Sequence, residues 1–466
     1  MAPFRGVRYN PHRASGIANV TSPPYDVIGA ATLDDLLQAD PHNVVRLILP
    51  RSAPRDADSG PGPDPNQEAA QRLRSWRAAG ILAPDPGPAL YVYQQSAPGP
   101  APNLLQRGVI ALVGVGDPAE SGIVPHEDVM PGPVRDRRDL MAATRANLEP
   151  IFLVYDGGGQ GSGGQDRAGQ DRADQGAAGR SATSALADEV AGQGAPLVTA
   201  VTPDGITHRL WRVADPAAHA LVAADLAGRT ALIADGHHRY AAYRGLQDQM
   251  RERGHGPGPW DYGLAYLVDD DAYAPRLGAI HRVLPRLRPD DAARLAAGAF
   301  TVRELPAGGL DAALGHLRAA GDGEGAFLLA GPPGGASGTS GTAGAPRAGR
   351  AARYWLVERP DRALVAASMP PASSPRWRRL DAAILQQLLM ARLWGIHDSE
   401  RGVLVRHDAG DAVQCAVESG GVAVIMRPCP FGVVRDLALH GERVPRKSTS
   451  FGPKPRSGLV LRGFDD

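Results

Sequence analysis

Gly228-Arg-Thr-Ala-Leu-Ile-Ala-Asp-Gly-His-His-Arg-Tyr-Ala-Ala-Tyr-Arg-Gly-Leu246 changes its hydrophobic period in the middle. Ala231 to Ala234 is a short apolar run and reads as a buried strand. Asp235-Gly236 breaks it with a turn, and beyond the turn Tyr243, Leu246 and Met250 share one helical face at i, i+3, i+7. A strand that feeds a glycine turn and then a helix is a common way to build an anion site. The N–H groups of the first helical turn have no partner inside the helix, and the macrodipole adds partial positive charge there. Gly236 permits a positive φ or a close backbone approach, and Arg239 carries a planar fork of donors that suits a phosphate. His237 and His238 stand at the turn itself. The alternative, on spacing alone, is that Asp235 caps the helix and the two histidines are polar surface.

Four further polar clusters lie outward from this turn. Ser22 to Asp26 contains Pro23-Pro24, which fixes φ and removes two donors. It is a stiff segment that either presents Tyr25 and Asp26 in a set direction or simply connects two elements. Gly122-Ile-Val-Pro-His-Glu-Asp128 places His126 and Glu127 just after an apolar stretch. That pair has the chemistry of a general base or a metal ligand, and equally of a surface pair. His281 and Arg282 interrupt the apolar run Leu277 to Leu284. The segment from Gly441 to Leu459 is basic and irregular; Lys447, Ser448, Thr449 and Lys454 are phosphate-type donors, and Phe451 with Leu459 to Leu461 predicts that it docks.

The remaining pattern is mixed. Strands are expected at Val44–Leu49, Ala89–Gln94, Arg107–Val113, Ile151–Tyr155, His208–Val213, Tyr262–Val268, Ala326–Ala330, Tyr354–Glu358 and Gly421–Met426, the second and third of them paired. Helices are expected at Ala31–Gln38, Ala69–Ala79, Arg135–Ala146 and Leu310–Ala319. Leu380 to Met390 is the most amphipathic, with Leu380, Ile384 and Leu388 in one stripe. Asp156 to Ala185 and Gly331 to Ala352 are so poor in apolar residues that they read as disordered insertions. The expected division is a core over 1–155 and 186–290, an insertion at 156–185, and a C-terminal α/β region over 291–466 with a disordered loop at 331–352.

The chain has 466 residues, 43% of them hydrophobic, enough for two or three domains with real cores. Lys plus Arg and Asp plus Glu balance at 50 each, which disfavours a dedicated nucleic-acid binder. Cys415 and Cys429 form no CxxC pair and fit a reducing compartment. The first residues have no apolar leader and no run reaches membrane-span length, so the expectation is a soluble cytoplasmic protein.

Asp235-Gly-His-His-Arg-Tyr-Ala-Ala-Tyr243 resembles the phosphate-binding motif of the ParB/sulfiredoxin superfamily, which also includes free serine kinases. Over its whole length the chain resembles the bacterial family called domain of unknown function 1015. The matching blocks are Arg8-Tyr9, Pro23–Ile28, Asn43–Leu47, Pro125–Glu127, Gly132-Pro133, Ala143-Thr144 with Asn147, Pro150–Phe152, Ala234–Tyr240, His281-Arg282 and Pro445–Lys454. The resemblance implies a mixed α+β fold with a ParB/sulfiredoxin-like nucleotide-binding core. His237 stands where sulfiredoxin has its reactive cysteine, which excludes that repair chemistry. The family's Gly-Pro-Lys reads Gly132-Pro-Val134 here, with Arg135 beside it.

These readings converge on a small-molecule phosphotransferase similar to a free serine kinase. Asp235, Gly236, His237, His238 and Arg239 would hold the phosphates of ATP or ADP, with Mg²⁺ bridging them, and the acceptor would be serine-like. Glu127 is the expected base, with Asp26 in reserve and His126 beside it. Two alternatives remain: a non-catalytic nucleotide-dependent switch of the ParB type, and a metal-dependent hydrolase using His126, His237, His238 and His281. No metal-ligand spacing, nucleic-acid partner or membrane segment is expected, and the sequence does not set an oligomeric state.

Overall fold

The computed structural model describes residues 1–50, 64–99, 103–158, 180–320, 325–332, 352–397 and 402–466. Most of the two expected insertions lies outside them. The helix Ala182–Gln193 begins inside the first insertion, where Ser181 Oγ accepts from Ser184 N and caps it. The chain forms two compact units, both mixtures of helix and sheet.

The first unit comprises residues 1–125, 129–276 and 453–466. Its eight-stranded mixed sheet runs in the order Ile123–Val124, Ala231–Asp235, Ile151–Tyr155, Tyr262–Asp269, Asn103–Gly114, Leu90–Ala97, Thr207–Val213, Val198–Val201. The first pair and the third pair of neighbours are parallel and the rest antiparallel. The expected strands Ala89–Gln94 and Arg107–Val113 do pair, with Tyr91 opposite Ile110. One face of the sheet buries Val92, Val109, Leu153 and Ile233, and Val222, Tyr240 and Leu246 belong to the same core. Alternation from strand residues thus meets the 3.6-residue face of the helix His237–Glu252. Each such fully buried aliphatic side chain contributes about 1.5–3 kcal/mol.

A four-stranded antiparallel sheet in the same unit has the order Leu82–Pro84, Gly6–Tyr9, Leu461–Gly463, Ala146–Asn147. Its core includes Val7, Leu47, Ile48, Leu73, Trp76 and Leu461. Val44–Leu49 is not a strand: Val45–Ile48 forms a short helix. Asn43 Oδ1 accepts from Val45 N at 2.9 Å, an Asx turn just ahead of the helix that competes with the β propensity of a valine-rich run.

The second unit comprises residues 126–128 and 277–452. Its six-stranded sheet is antiparallel throughout, in the order Thr301–Glu304, Arg353–Glu358, Phe327–Gly331, Val422–Ile425, His281–Leu284, Leu404–Arg406. Leu328, Leu356 and Ile425 of the sheet form a core with Leu317 and Ala416 of the helices Leu310–Ala319 and Ala409–Ser419. The apolar run Leu277–Leu284 falls in two strands, Arg276–Ala279 and His281–Leu284. The amphipathic stripe holds, but Asp381–Ile384 continues as a π-helix over Leu385–Leu393.

The first unit therefore ends at 276 where the sequence pattern places a boundary at 290, and residues 453–466 return to it. The reason for the return is strand pairing, since Leu461–Gly463 is hydrogen-bonded between Gly6–Tyr9 and Ala146–Asn147. Among the described residues no helix is long and apolar enough to cross a membrane.

Candidate functional site

Asp235 closes its strand at a register shift opposite Phe152. Gly236 follows in the left-handed region, with φ 92°, and leads into the helix His237–Glu252 with no side-chain cap. A Cβ at Gly236 would lie 3.1 Å from both Arg239 Nε and Ile151 Cγ2, so the position requires glycine for its conformation and for its space. Asp235 is not the helix cap. One carboxylate oxygen accepts from Arg239 one turn later and the other from Lys454.

Arg239 is buried and its fork is already used: Nη1 donates to Pro150 O and Nη2 to Asp235. Burial alone would lower its affinity for the proton, but Glu149, Asp235 and Asp26 outweigh that and hold it charged. Its Nε is buried without a hydrogen-bond partner.

Lys454 arrives from the segment 453–466. Its ammonium donates to Asp26 Oδ2 at 3.2 Å as well as to Asp235. Burial works against its charge, and the two carboxylates raise its pKa above the ordinary lysine value. Asp26 itself is exposed, in the short turn Tyr25–Val27 that follows the two prolines. The Tyr25 ring lies 4.4 Å from the Arg137 guanidinium carbon and 5.9 Å from that of Arg239. Tyr25 N donates to Glu149 Oε1 at 3.1 Å, and Ser457 Oγ donates to the same oxygen at 2.8 Å. Ser22 and Ser457 also exchange backbone hydrogen bonds of 3.2 and 2.9 Å. The proline segment, the glycine turn and residues 454–457 are thus tied into one constellation. Beside it a cavity of about 30 Å³, room for one water, is lined by Arg137, Asn147, Glu149, Arg239 and Tyr243 among others. His238 Nε2 accepts from Met130 N at 3.1 Å, which makes that nitrogen unprotonated.

Of the expected site residues, Asp26, Asp235, Gly236, His237, His238 and Arg239 belong to the first unit, and His126 and Glu127 to the second. There His126 Nε2 pairs with Thr449 Oγ1 at 3.0 Å and its carbonyl accepts from Val444 N at 2.8 Å. Glu127 accepts the backbone N–H of Lys447; burial raises its pKa above the usual carboxylate range, and Lys447, Arg446 and Arg282 oppose the rise. His281, in the same unit, accepts from Met426 N through Nδ1. The four histidines of the hydrolase reading are therefore split between the units. Among the described residues the acidic group Asp156, Asp270 and Asp271 is close enough to share a cation, and none of those histidines is in it. Sequence reading missed Glu149. Its one signal is position, since it stands just before Pro150 at a strand start, as His126 and Glu127 stand at a strand end.

A family model described as "Protein of unknown function (DUF1015)" covers residues 1–163 and 177–383. No curated protein matches. Among solved structures, a free serine kinase in complex with AMP is similar at 13% identity and a TM-score of 0.33, over 74% of this chain and 89% of that one. SbnI with C-terminal truncation from Staphylococcus aureus is similar at 10% identity and TM-score 0.32, over 74% and 82%. A conserved hypothetical protein from Pyrococcus furiosus is similar at 12% identity and TM-score 0.32, over 75% and 93%. At such scores the likeness assigns neither ligand nor reaction. The family model, by contrast, takes in most of the chain, including the glycine turn and Asp26, and the chain belongs to the DUF1015 family of proteins of unknown function.

Proposed function

We propose that this protein binds ATP or ADP by its phosphates at the Asp235–Arg239 turn and transfers a phosphoryl group to a small, serine-like hydroxyl acceptor. The observation that carries the reading is the Lys454 ammonium held between Asp235 and Asp26 beside a glycine turn and a helix N-terminus. Backbone N–H groups and the helix dipole favour an anion there, and a lysine supplies the mobile point charge. A phosphate entering the turn would draw the ammonium away from Asp26, whose carboxylate stands at the surface. That carboxylate is then the group to accept the proton of the attacking hydroxyl. Asp26 takes the base role in this reading, and Arg239, with its fork committed, fixes the turn. Mg²⁺ would enter on phosphate oxygens and water and supply charge neutralisation. Asp235 is no ligand for it, since both its oxygens are held by cations.

Thermal-shift titration with ATP, ADP, CTP and GTP in Mg²⁺, followed by a coupled assay with L-serine, tests the reading. Lys454→Met should weaken nucleotide binding about ten- to a hundredfold, the worth of a hydrogen bond to a charged group. Asp26→Asn should bind normally while turnover falls roughly 10²- to 10⁴-fold. No shift with any nucleotide would end the proposal. Binding without turnover of any hydroxyl acceptor would replace it with a nucleotide-dependent switch.

A further inference from the structure

Pro445-Arg-Lys-Ser-Thr-Ser450, in the second unit, is pinned at three backbone groups, Arg446 O, Lys447 O and Lys447 N–H, by side chains distant in sequence. Arg282, buried on the strand His281–Leu284, donates Nη2 to Arg446 O at 3.0 Å and Nη1 to Lys447 O at 2.8 Å. Glu127 accepts Lys447 N–H. The His126 carbonyl takes Val444 N, and the His126 ring takes Thr449 Oγ1. Ser448 Oγ closes back on Pro445 O, and His407 Nδ1 meets Ser450 Oγ at 3.1 Å. Two of the blocks singled out in the sequence, Pro125–Glu127 and His281-Arg282, thus serve a third, Pro445–Lys454.

What they enforce is an unusual backbone. Lys447 sits at φ 57°, one of three non-glycine residues with positive φ among those described. That conformation costs a residue with a Cβ roughly 1–2 kcal/mol and persists only where the surroundings impose it. Its effect is to turn the carbonyls of Arg446 and Lys447 onto the Arg282 guanidinium. The acceptors that would repel an anion are withdrawn, while the side chains of Arg446, Lys447 and Ser448 stay partly exposed. The loop thus brings the cationic side chains of Arg446 and Lys447 and the Ser448 hydroxyl towards the surface while the two carbonyls are taken up by Arg282.

We propose that Pro445–Ser450 is a preformed binding loop for a phosphate dianion, ligated by Arg446 and Lys447 and positioned by His126, Glu127 and Arg282. The site belongs to the second unit and the glycine turn to the first. In the full-length chain carrying Lys454→Met, calorimetric titration with inorganic phosphate and pyrophosphate at constant ionic strength should still show binding. Adding Lys447→Gly keeps a residue suited to positive φ but removes the ammonium, and affinity should fall about ten- to a hundredfold with the melting temperature nearly unchanged. Arg282→Met should weaken phosphate binding and Arg282→Lys restore part of it. The proposal is overturned if Lys454→Met alone abolishes phosphate binding, a result that leaves the nucleotide reading intact. It is overturned equally if Lys454→Met with Lys447→Gly binds as well as Lys454→Met does.

Discussion

Two short turns, one in each unit, are built from the same three parts and divide the work differently. Each has a residue at positive φ, Gly236 at 92° and Lys447 at 57°. Each has a buried arginine donating to main-chain carbonyls, Arg239 to Pro150 and Arg282 to Arg446 and Lys447. Each has a carboxylate, Asp235 held by side-chain cations and Glu127 by a backbone N–H. In the first turn conformation and charge are separate: glycine takes the left-handed backbone without a Cβ penalty and Lys454 brings the charge. In the second the residue at positive φ, Lys447, itself carries a charge. Substitutions at the conformational residue of the first turn should therefore read as stability, and at that of the second as binding.

The largest effect should come from the arginines. Arg239→Met leaves the buried Asp235 carboxylate short of a partner and should cost about 3–5 kcal/mol in urea denaturation. Arg282→Met strands two neutral carbonyls and should cost about 1–3 kcal/mol. Equal losses would mean that the two turns are energetically alike and that the contrast is superficial.

Acid comes next. Burial drives His208 in the first unit and His281 in the second down to about 4. Arg456 adds to the depression at His208 and Asp204 opposes it; at His281 Asp408 opposes it, while His407 and Arg282 add to it. Above pH 6.5 both rings are neutral whether folded or unfolded, and no stability is lost. As pH falls from 6.5 towards 4 the unfolded chain takes up protons that the folded chain refuses, so each unit loses on the order of 3 kcal/mol. His208→Gln should flatten this acid dependence in the first unit and His281→Gln in the second. Urea midpoints at pH 7, 5 and 4 would show it, with hydrogen exchange assigning each transition. A substitution that flattens both would show that the units unfold together.

The smallest effects are at the positive-φ residues themselves. Gly236→Ala meets both strain and a crowded Cβ, and should cost about 1–2 kcal/mol. Lys447→Gly trades relief of strain against added freedom in the unfolded chain and should stay within about 1 kcal/mol of wild type. If Lys447→Gly destabilises as much as Gly236→Ala does, the lysine is there for packing.

Much of the fold was legible because buried strands announce themselves. Ile151–Tyr155 and Tyr262–Asp269 are apolar runs with no competing period, and their limits held to within a residue or so. Val44–Leu49 misled because a valine-rich run says strand while Asn43, a turn-forming residue just ahead of it, says otherwise; the local Asx turn won. In the candidate site, the glycine turn could be read from a change of period and Asp26 from the stiffness of two prolines. Glu149 could not, because its role depends on Ser457, 308 positions away in the chain. The assignment of His126 and Glu127 to Pro445–Ser450 is equally non-local: sequence shows which side chains are polar at strand ends, and only tertiary pairing shows which loop they hold.

The return of residues 453–466 to the first unit has a consequence for synthesis. Leu461–Gly463 is an inner strand of the four-stranded sheet, and Lys454 is the counter-ion of Asp235. A ribosome that has made residue 452 has added every residue of the second unit, while the first, begun hundreds of residues earlier, still has a gap in one sheet and a buried carboxylate short of one cation. The usual order, in which the N-terminal part is finished first, cannot hold for the four-stranded sheet, which is completed last. A premature stop anywhere before residue 461 leaves Gly6–Tyr9 paired only with Leu82–Pro84 and leaves Ala146–Asn147 without the strand it pairs with in that sheet.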